Sequence, residues 1–396
     1  MAPPQSDASP EEQQARSDAT EETVYSAPVN GGLQAWLQVA GGTVNTFGVF
    51  QTYYQIGLLK NQSSSNISWV GAIQAFLLLV VGVITGPLYD AGYFYVLVAT
   101  GSVLIVLLAQ AFCVGVGSGC LYIPSVAIIP QYFSSRRAIA TAVAASGSSL
   151  GGVLYPIVFR QLQPHIGFGW ATRVLGFLVL ATISFSLSVM RVRQVPKQRR
   201  ILIEFSAFKE VPYTLFCTAM FFGYIGFFNP IFYIEAYAIQ KHAMGETLAF
   251  YLVSILNAAS VPGRIVPGLL GLRFGPLNIL LGSAIISGIL SLCWIAISNA
   301  GGLIALAILY GFFSGAFVSL PAVALTTLTP NLQTLGTQTG MCSLLCGFGS
   351  LCGAPVAGAI LDDTRSYLGV QLYSGLTIGT TGVLLFFASL LKGRSK

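Results

Sequence analysis

Charge is what this 396-residue chain lacks most: only 8% of its residues are Asp, Glu, Lys or Arg, against about 25% in a soluble domain. Such a sequence cannot cover itself with a water-facing surface. Histidine is nearly absent, with only His165 and His242, and the chain beyond residue 30 holds just seven carboxylates. General acid–base chemistry therefore lacks its usual groups, which argues against an enzyme. No Gly-rich loop is followed by Lys-Ser or Lys-Thr, so ATP-driven work is excluded as well. The seven cysteines all fall in apolar runs with no His, Asp or Glu beside them, and read as small packing residues. No metal site, disulfide framework or cofactor is expected.

Apolar sequence fills the space that charge leaves. Blocks of about twenty residues, the length that crosses a hydrocarbon core as a helix, fall at 33–54, 67–88, 94–112, 114–133, 138–159, 167–189, 212–235, 247–270, 277–298, 301–321, 336–361 and 369–391. The spacing predicts an all-α membrane protein of about twelve transmembrane helices. Residues 1–30, with six acidic residues, four prolines and no apolar periodicity, read as a disordered acidic cytoplasmic tail. That stretch has no basic start and no apolar core, so it is not a signal peptide. A bridge carrying Arg191, Arg193, Lys197, Arg199, Arg200 and Lys209 divides the spans. The expected organisation is a six-helix half over 31–190, a basic linker over 191–211, a second six-helix half over 212–391 and a short tail over 392–396. Two multi-span halves joined by a cationic linker is the plan of a secondary transporter.

Orientation follows from the basic residues. With both termini in the cytoplasm, thirteen Lys and Arg lie inside and four (Lys60, Arg160, Lys241 and Arg365) lie outside, as the positive-inside rule requires. The sequons at Asn61 and Asn66 then fall in the first outer loop as glycosylation candidates. The basic residues flank spans, so their excess reports topology, and nucleic acid is not an expected partner.

The halves echo each other. Asn45 and Tyr53 are matched 184 positions later by Asn229 and Tyr237. Gly86 and Asp90 are matched 182 positions later by Gly268 and Leu272, whereas Tyr155-Pro156 and Ala354-Pro355 stand 199 apart. The first half is thus seventeen residues shorter between Asp90 and Pro156. Tyr93 to Phe133 is 41 residues, about 60 Å of helix and barely two core thicknesses, so either an unusually tight hairpin sits near Gln110 or the third and fourth spans are truncated by a lost segment.

Several residues stand out against this background. Asp90, in Gly86-Pro-Leu-Tyr-Asp90-Ala-Gly92, is placed at the start of the following helix, where the dipole favours it. From there it can latch to Arg136 and Arg137 as a cytoplasmic gate. Gly115-x-Gly117-x-Gly119 and Gly147-x-x-x-Gly151-Gly152 read as small-residue faces for close helix packing. Arg264 lies inside the eighth span, where an ionisable group is costly and faces a cavity or a partner. Its guanidinium can hold a carboxylate through two parallel bonds; snorkelling to the interface is the alternative. Arg173, beside Trp170, reads as an interface anchor. Asn45, Tyr53, Asn229, Tyr233 and Asn257 are polar groups in apolar spans, and with Arg264 form the candidate substrate set.

At these residues the chain resembles the major facilitator superfamily, in its fungal monocarboxylate porter (monocarboxylate transporter-like) branch. The resemblance covers 30–391. It is carried by Gly31-Gly32-Leu-Gln-Ala-Trp36, Asn45-Thr-Phe-Gly-Val-Phe-Gln-Thr-Tyr-Tyr54, Ser68-Trp69-Val-Gly-Ala-Ile-Gln74, Pro130-Gln-Tyr-Phe133 with Arg136-Arg137, and Tyr310-Gly-Phe-Phe-Ser-Gly-Ala-Phe-Val-Ser-Leu-Pro321. It implies twelve helices, rocker-switch alternating access, and transport of small organic acids or secondary metabolites, often with a proton. Fungal relatives include exporters of biosynthetic gene clusters. Several family positions differ here: Asn30 and Ser260 stand where acidic residues are common, Leu272 where Asp90 repeats, and Gln338 where a base is common. The first span also looks shortened around Gly41-Gly42. With Ser260 in place no Asp–Arg pair forms locally. The expected partners are a small anionic or amphipathic solute and the lipid bilayer, with proton coupling open and the chain acting as a monomer in the plasma membrane. A transporter-like sensor or impaired paralogue is the competing reading.

Overall fold

The computed structural model describes residues 64–93, 96–97, 115–121, 137–189, 204–329 and 334–394. Among them the chain is helical, and eight helical runs are long and apolar enough to cross a membrane. They are α1 (Ser64–Asp90), α2 (Arg137–Val189), α3 (Val211–Gln240), α4 (Glu246–Phe274), α5 (Pro276–Cys293), α6 (Ala300–Ser314), α7 (Leu335–Thr364) and α8 (Tyr367–Arg394).

α2 is two spans, because Gly167 leaves the helical region at φ 73°, ψ 167° and breaks the run. Its arms fold against each other through Phe159 and Phe168, whose rings meet edge to face at 5.8 Å. They correspond to the expected fifth and sixth spans. The second span and the seventh to twelfth are likewise present. The first span, with Asn45, Tyr53 and the Asn61 sequon, lies outside the described residues, as do Arg136 and most of the third and fourth spans.

Local chemistry sets the breaks. α1 stops at Gly92, which has φ 90°, while Tyr93 N–H returns to the Leu88 carbonyl at 3.1 Å, an end that satisfies the last carbonyls of the helix. Asp90 is therefore the last residue of α1 and does not open the next helix, whose hydrogen-bond pattern resumes at Tyr93 with Leu97 N–H on the Tyr93 carbonyl at 3.0 Å. Gly275, at φ 85°, with Pro276 behind it, turns α4 into α5. Asn299 caps α6 by accepting the Gly302 N–H at 2.7 Å. The tenth span runs over Ala300–Ser319, interrupted only at Gly315, and a short helix over Pro321–Leu325 follows it. Pro321 has no N–H with which to prolong the helix.

Helices α3 to α8 share one core around Trp294, Tyr213, Tyr310 and Phe317, all fully buried. Small residues set its spacing, as expected where lipid supplies no hydrophobic drive between helices. A Cβ on Gly353 of α7 would collide with the Ile225 carbonyl of α3, so the two backbones touch. The segment 115–121 packs on α1 the same way: a Cβ on Gly115 would come within 2.8 Å of Leu77, in line with the packing role expected of those glycines. Large apolar side chains such as Ile289, Val383 and Phe387 remain exposed and suit contact with lipid. Two seams join α1 and α2 to the core: α1 lies along α7, and α2 along α4.

Candidate functional site: a polar seam between two helices

The α2–α4 seam holds the described residues with the richest polar chemistry. α4 presents Asn257, Ser260 and Arg264 at helical spacing, and α2 answers with Ala145, Ser148, Ser149 and Gly152. Arg264 is buried at 7% exposure, and its Nη1 donates to both the Ala145 carbonyl and the Ser148 hydroxyl. Ser148 also donates to the same carbonyl at 3.0 Å. One turn along, the Ser149 and Ser260 hydroxyls meet at 2.6 Å, and Ser260 reaches its own helix at the Asn257 carbonyl at 3.0 Å. Asn257 donates to the Val253 carbonyl at 2.9 Å. A Cβ on Gly152 would come within 2.7 Å of its amide, so only glycine admits that side chain.

A buried cation is costly unless it is hydrogen-bonded. Here neutral oxygens from the facing helix hold Arg264 in place, and the Ser149–Ser260 pair occupies the level where a carboxylate would otherwise serve it. The seam can therefore do two things. It fixes α2 to α4, and it offers a guanidinium that a carboxylate can take over from weaker neutral acceptors.

The other expected site residues are placed elsewhere. Asn229 is fully buried in α3 and donates to the Ile225 carbonyl at 3.2 Å. Tyr233 is fully buried and donates to the Ala354 carbonyl of α7 at 3.0 Å. That carbonyl also accepts the Ser68 hydroxyl of α1 at 3.2 Å, so α1, α3 and α7 meet just before Pro355. Asn229 and Tyr233 thus bond to α3 and α7, and not to the seam that holds Arg264 and Asn257. Asp90 is the last residue of α1 and Arg137 the first of α2. Asn66 is exposed in the first turn of α1, and the hydroxyl of its sequon partner Ser68 is buried in the α1–α7 seam. Arg173 stacks over Trp170 at 4.9 Å, consistent with an anchor.

Sequence reading did not single out Ser148, Ser149 or Glu235. Glu235 is 4% exposed, and with Arg264 it makes up the buried charged side chains among the described residues. The expected span ended at Glu235, whereas α3 runs on to Gln240.

Comparison with known proteins decides the family. The sequence profile of the Major Facilitator Superfamily matches residues 37–300. The chain belongs to the major facilitator superfamily. It is 43% identical to the MFS-type transporter dbaD of Emericella nidulans, over 91% of this chain and 87% of that one. It is 36% identical to the aspyridones efflux protein apdF of the same fungus, over 91% and 79%. With the agnestins efflux protein AgnL12 of Paecilomyces divaricatus it shares 34% identity, over 88% and 84%. Among solved structures, the Escherichia coli fucose:proton symporter FucP aligns with TM-score 0.63 at 17% identity, covering 89% of this chain and 96% of that one. Human MFSD10, an organic anion transporter, aligns with TM-score 0.65 at 12% identity, covering 90% and 97%. These two likenesses carry the fold. This superfamily member is a multi-pass membrane transporter of a small molecule and not an enzyme.

Proposed function

We propose that the chain exports an acidic or amphipathic secondary metabolite by alternating access, as part of a biosynthetic gene cluster. The observation that carries this reading is Arg264, a buried cation whose Nη1 donates to a carbonyl and a hydroxyl of the facing helix. The efflux names of two relatives support the direction of transport. A solute carboxylate offers Arg264 two charge-assisted bonds in place of a carbonyl and a hydroxyl, so binding it loosens the hold of α4 on α2. A ligand can shift a conformational equilibrium only by its differential affinity for the two states, and this exchange supplies such a difference. Asn257 flanks the same seam; Asn45, Tyr53, Asn229 and Tyr233 complete the proposed substrate set on the repeat-related first and seventh spans.

The remaining parts of the reading are an N-terminal half over 31–190, a basic linker over 191–211 and a C-terminal half over 212–391. Both termini face the cytoplasm, with residues 1–30 and 392–396 as tails, in the plasma membrane. Asp90, Arg136 and Arg137 form the cytoplasmic gate. Asn61 and Asn66 are the glycan acceptors, and attachment at Asn66 precedes burial of Ser68. The protein works as a monomer. The narrower monocarboxylate-porter assignment rests on the sequence motifs together with Arg264. Proton coupling through an Asp–Arg pair has no support at Ser260.

Comparing small molecules inside and outside host cells, with and without the protein, tests this reading. An acidic metabolite should accumulate inside on deletion and appear outside on expression. Unchanged pools, with the protein confirmed in the membrane, would overturn it.

A further inference from the structure

Beyond the polar seam, both junctions are fastened again at the face that carries Asn66, Lys241 and Arg365. On the α2–α4 junction, Arg160 lays its guanidinium 4.4 Å over the Phe250 ring and lies 5.9 Å from the Tyr251 ring. Its Nη2 also donates to the Thr247 hydroxyl at 3.2 Å. One arginine of α2 thus holds the opening turns of α4. Phe250 packs in turn against the cluster of Tyr155, Phe159, Ala171 and Leu175, which keeps it under the guanidinium.

The α1–α7 junction carries a second fastening at the same face. Asp362 of α7 accepts the Ser65 N–H at 3.1 Å. That amide is one of the first-turn donors that the helix itself cannot satisfy, and the dipole of α1 favours the carboxylate there. The Ser65 hydroxyl donates to the Pro355 carbonyl at 3.0 Å. A Cβ on Gly358 would come within 2.6 Å of the Ser65 Cα, so this end of the junction closes down to the backbone.

Each fastening brings a charged side chain onto a facing helix: Arg160 onto the Phe250 ring and the Thr247 hydroxyl, Asp362 onto the Ser65 N–H. Contacts of this kind at a partly exposed edge are individually weak. Two of them on opposite sides can hold a face closed and still yield to a modest push.

We propose that Arg160 and Asp362 form a two-sided latch that closes the outer face, and that opening to the outside begins with release of both. The proposal rests on the alternating-access reading above, and it assigns the face opposite to Asp90, Arg136 and Arg137. These are positioning residues, acting on the balance between states and not on the solute.

The test uses Ser254→Cys as a reporter. Ser254 is 5% exposed and lies one turn after Phe250 and one turn before Asn257, both of which touch α2. A membrane-impermeant maleimide is added to intact cells and, separately, to inverted vesicles; the labelling rate at that position is read by peptide mass spectrometry, which separates it from the native cysteines. Arg160→Ala and Asp362→Ala should each raise labelling from outside by roughly two- to fivefold, with the factors multiplying when combined. Phe250→Leu should match Arg160→Ala and add nothing to it, and Arg160→Lys should fall between. Unchanged labelling in the combined variant, with the reporter fully reactive after denaturation, would overturn the latch. A rise seen only in inverted vesicles supports the latch and overturns the assigned orientation, so the two ideas fail separately.

Discussion

Replacing Arg264 by alanine should separate transport from folding. The side chain is buried and spans the α2–α4 seam to the Ala145 carbonyl and the Ser148 hydroxyl. Truncation removes both bonds, but it also removes the cost of burying a cation. Ser148 keeps its bond to the Ala145 carbonyl at 3.0 Å. The net effect on stability should therefore be small, about 1–2 kcal/mol. Solute binding is different. A carboxylate held by two charge-assisted bonds gains at least about 3 kcal/mol from them, which is roughly a hundredfold in affinity. Arg264→Ala should thus cut flux of an acidic metabolite by about two orders of magnitude, while membrane insertion and thermal stability stay near wild type. Inverted vesicles loaded from the cytoplasmic side, supplied with the acid and with its methyl ester, give the readout. Ester flux should change little, and Arg264→Lys should recover part of the acid flux because the charge returns without the fork. Equal flux of the acid in wild type and variant would refute the reasoning. Parallel loss of ester flux and thermal stability would instead make Arg264 a structural pin.

Tyr233→Phe removes one buried bond to the Ala354 carbonyl and should cost about 1 kcal/mol of stability with flux retained; selective loss of flux at unchanged melting temperature would make Tyr233 a solute contact. Gly353→Leu should prevent α3 and α7 from meeting at the Ile225 carbonyl and lower the yield of monodisperse protein, whereas Gly245→Ala, with open space around it, should not. Gly167→Ala strains a backbone at φ 73° and should destabilise the protein by about 1–2 kcal/mol, seen as a lower melting temperature in detergent. Ser260→Asp puts a titratable carboxylate one turn from Arg264; flux should become more pH-dependent, and a pH profile identical to wild type would count against the missing-partner account.

Helix identity was legible because hydropathy reports burial in lipid directly. The expected 247–270 and 336–361 lie within Glu246–Phe274 and Leu335–Thr364. Edges were harder to place, since a helix continues past the apolar stretch that announces it. Glu235 shows the consequence: a carboxylate taken as a span's last residue lies inside α3, with the helix running on to Gln240. Position along the chain also marked Arg264, but its partners could not be read there. A backbone carbonyl has no signature in sequence, and Ser148 and Ser149 look like any small residues of a packed helix. The fifth and sixth spans were read separately, and Gly167, where the second of them was expected to start, does break α2 into two. Asp90 was assigned to the wrong side of its turn because Gly86 and Gly92 both could have ended the helix, and Gly92 does.

The measurement that reaches the central claim most directly is flux through the purified protein in proteoliposomes, using the acidic metabolite that host cells retain when the protein is absent. Saturable movement without ATP, lost on Arg264→Ala, is the predicted result. Saturable binding of the same metabolite with no movement across the bilayer would contradict the account and make this superfamily member a sensor.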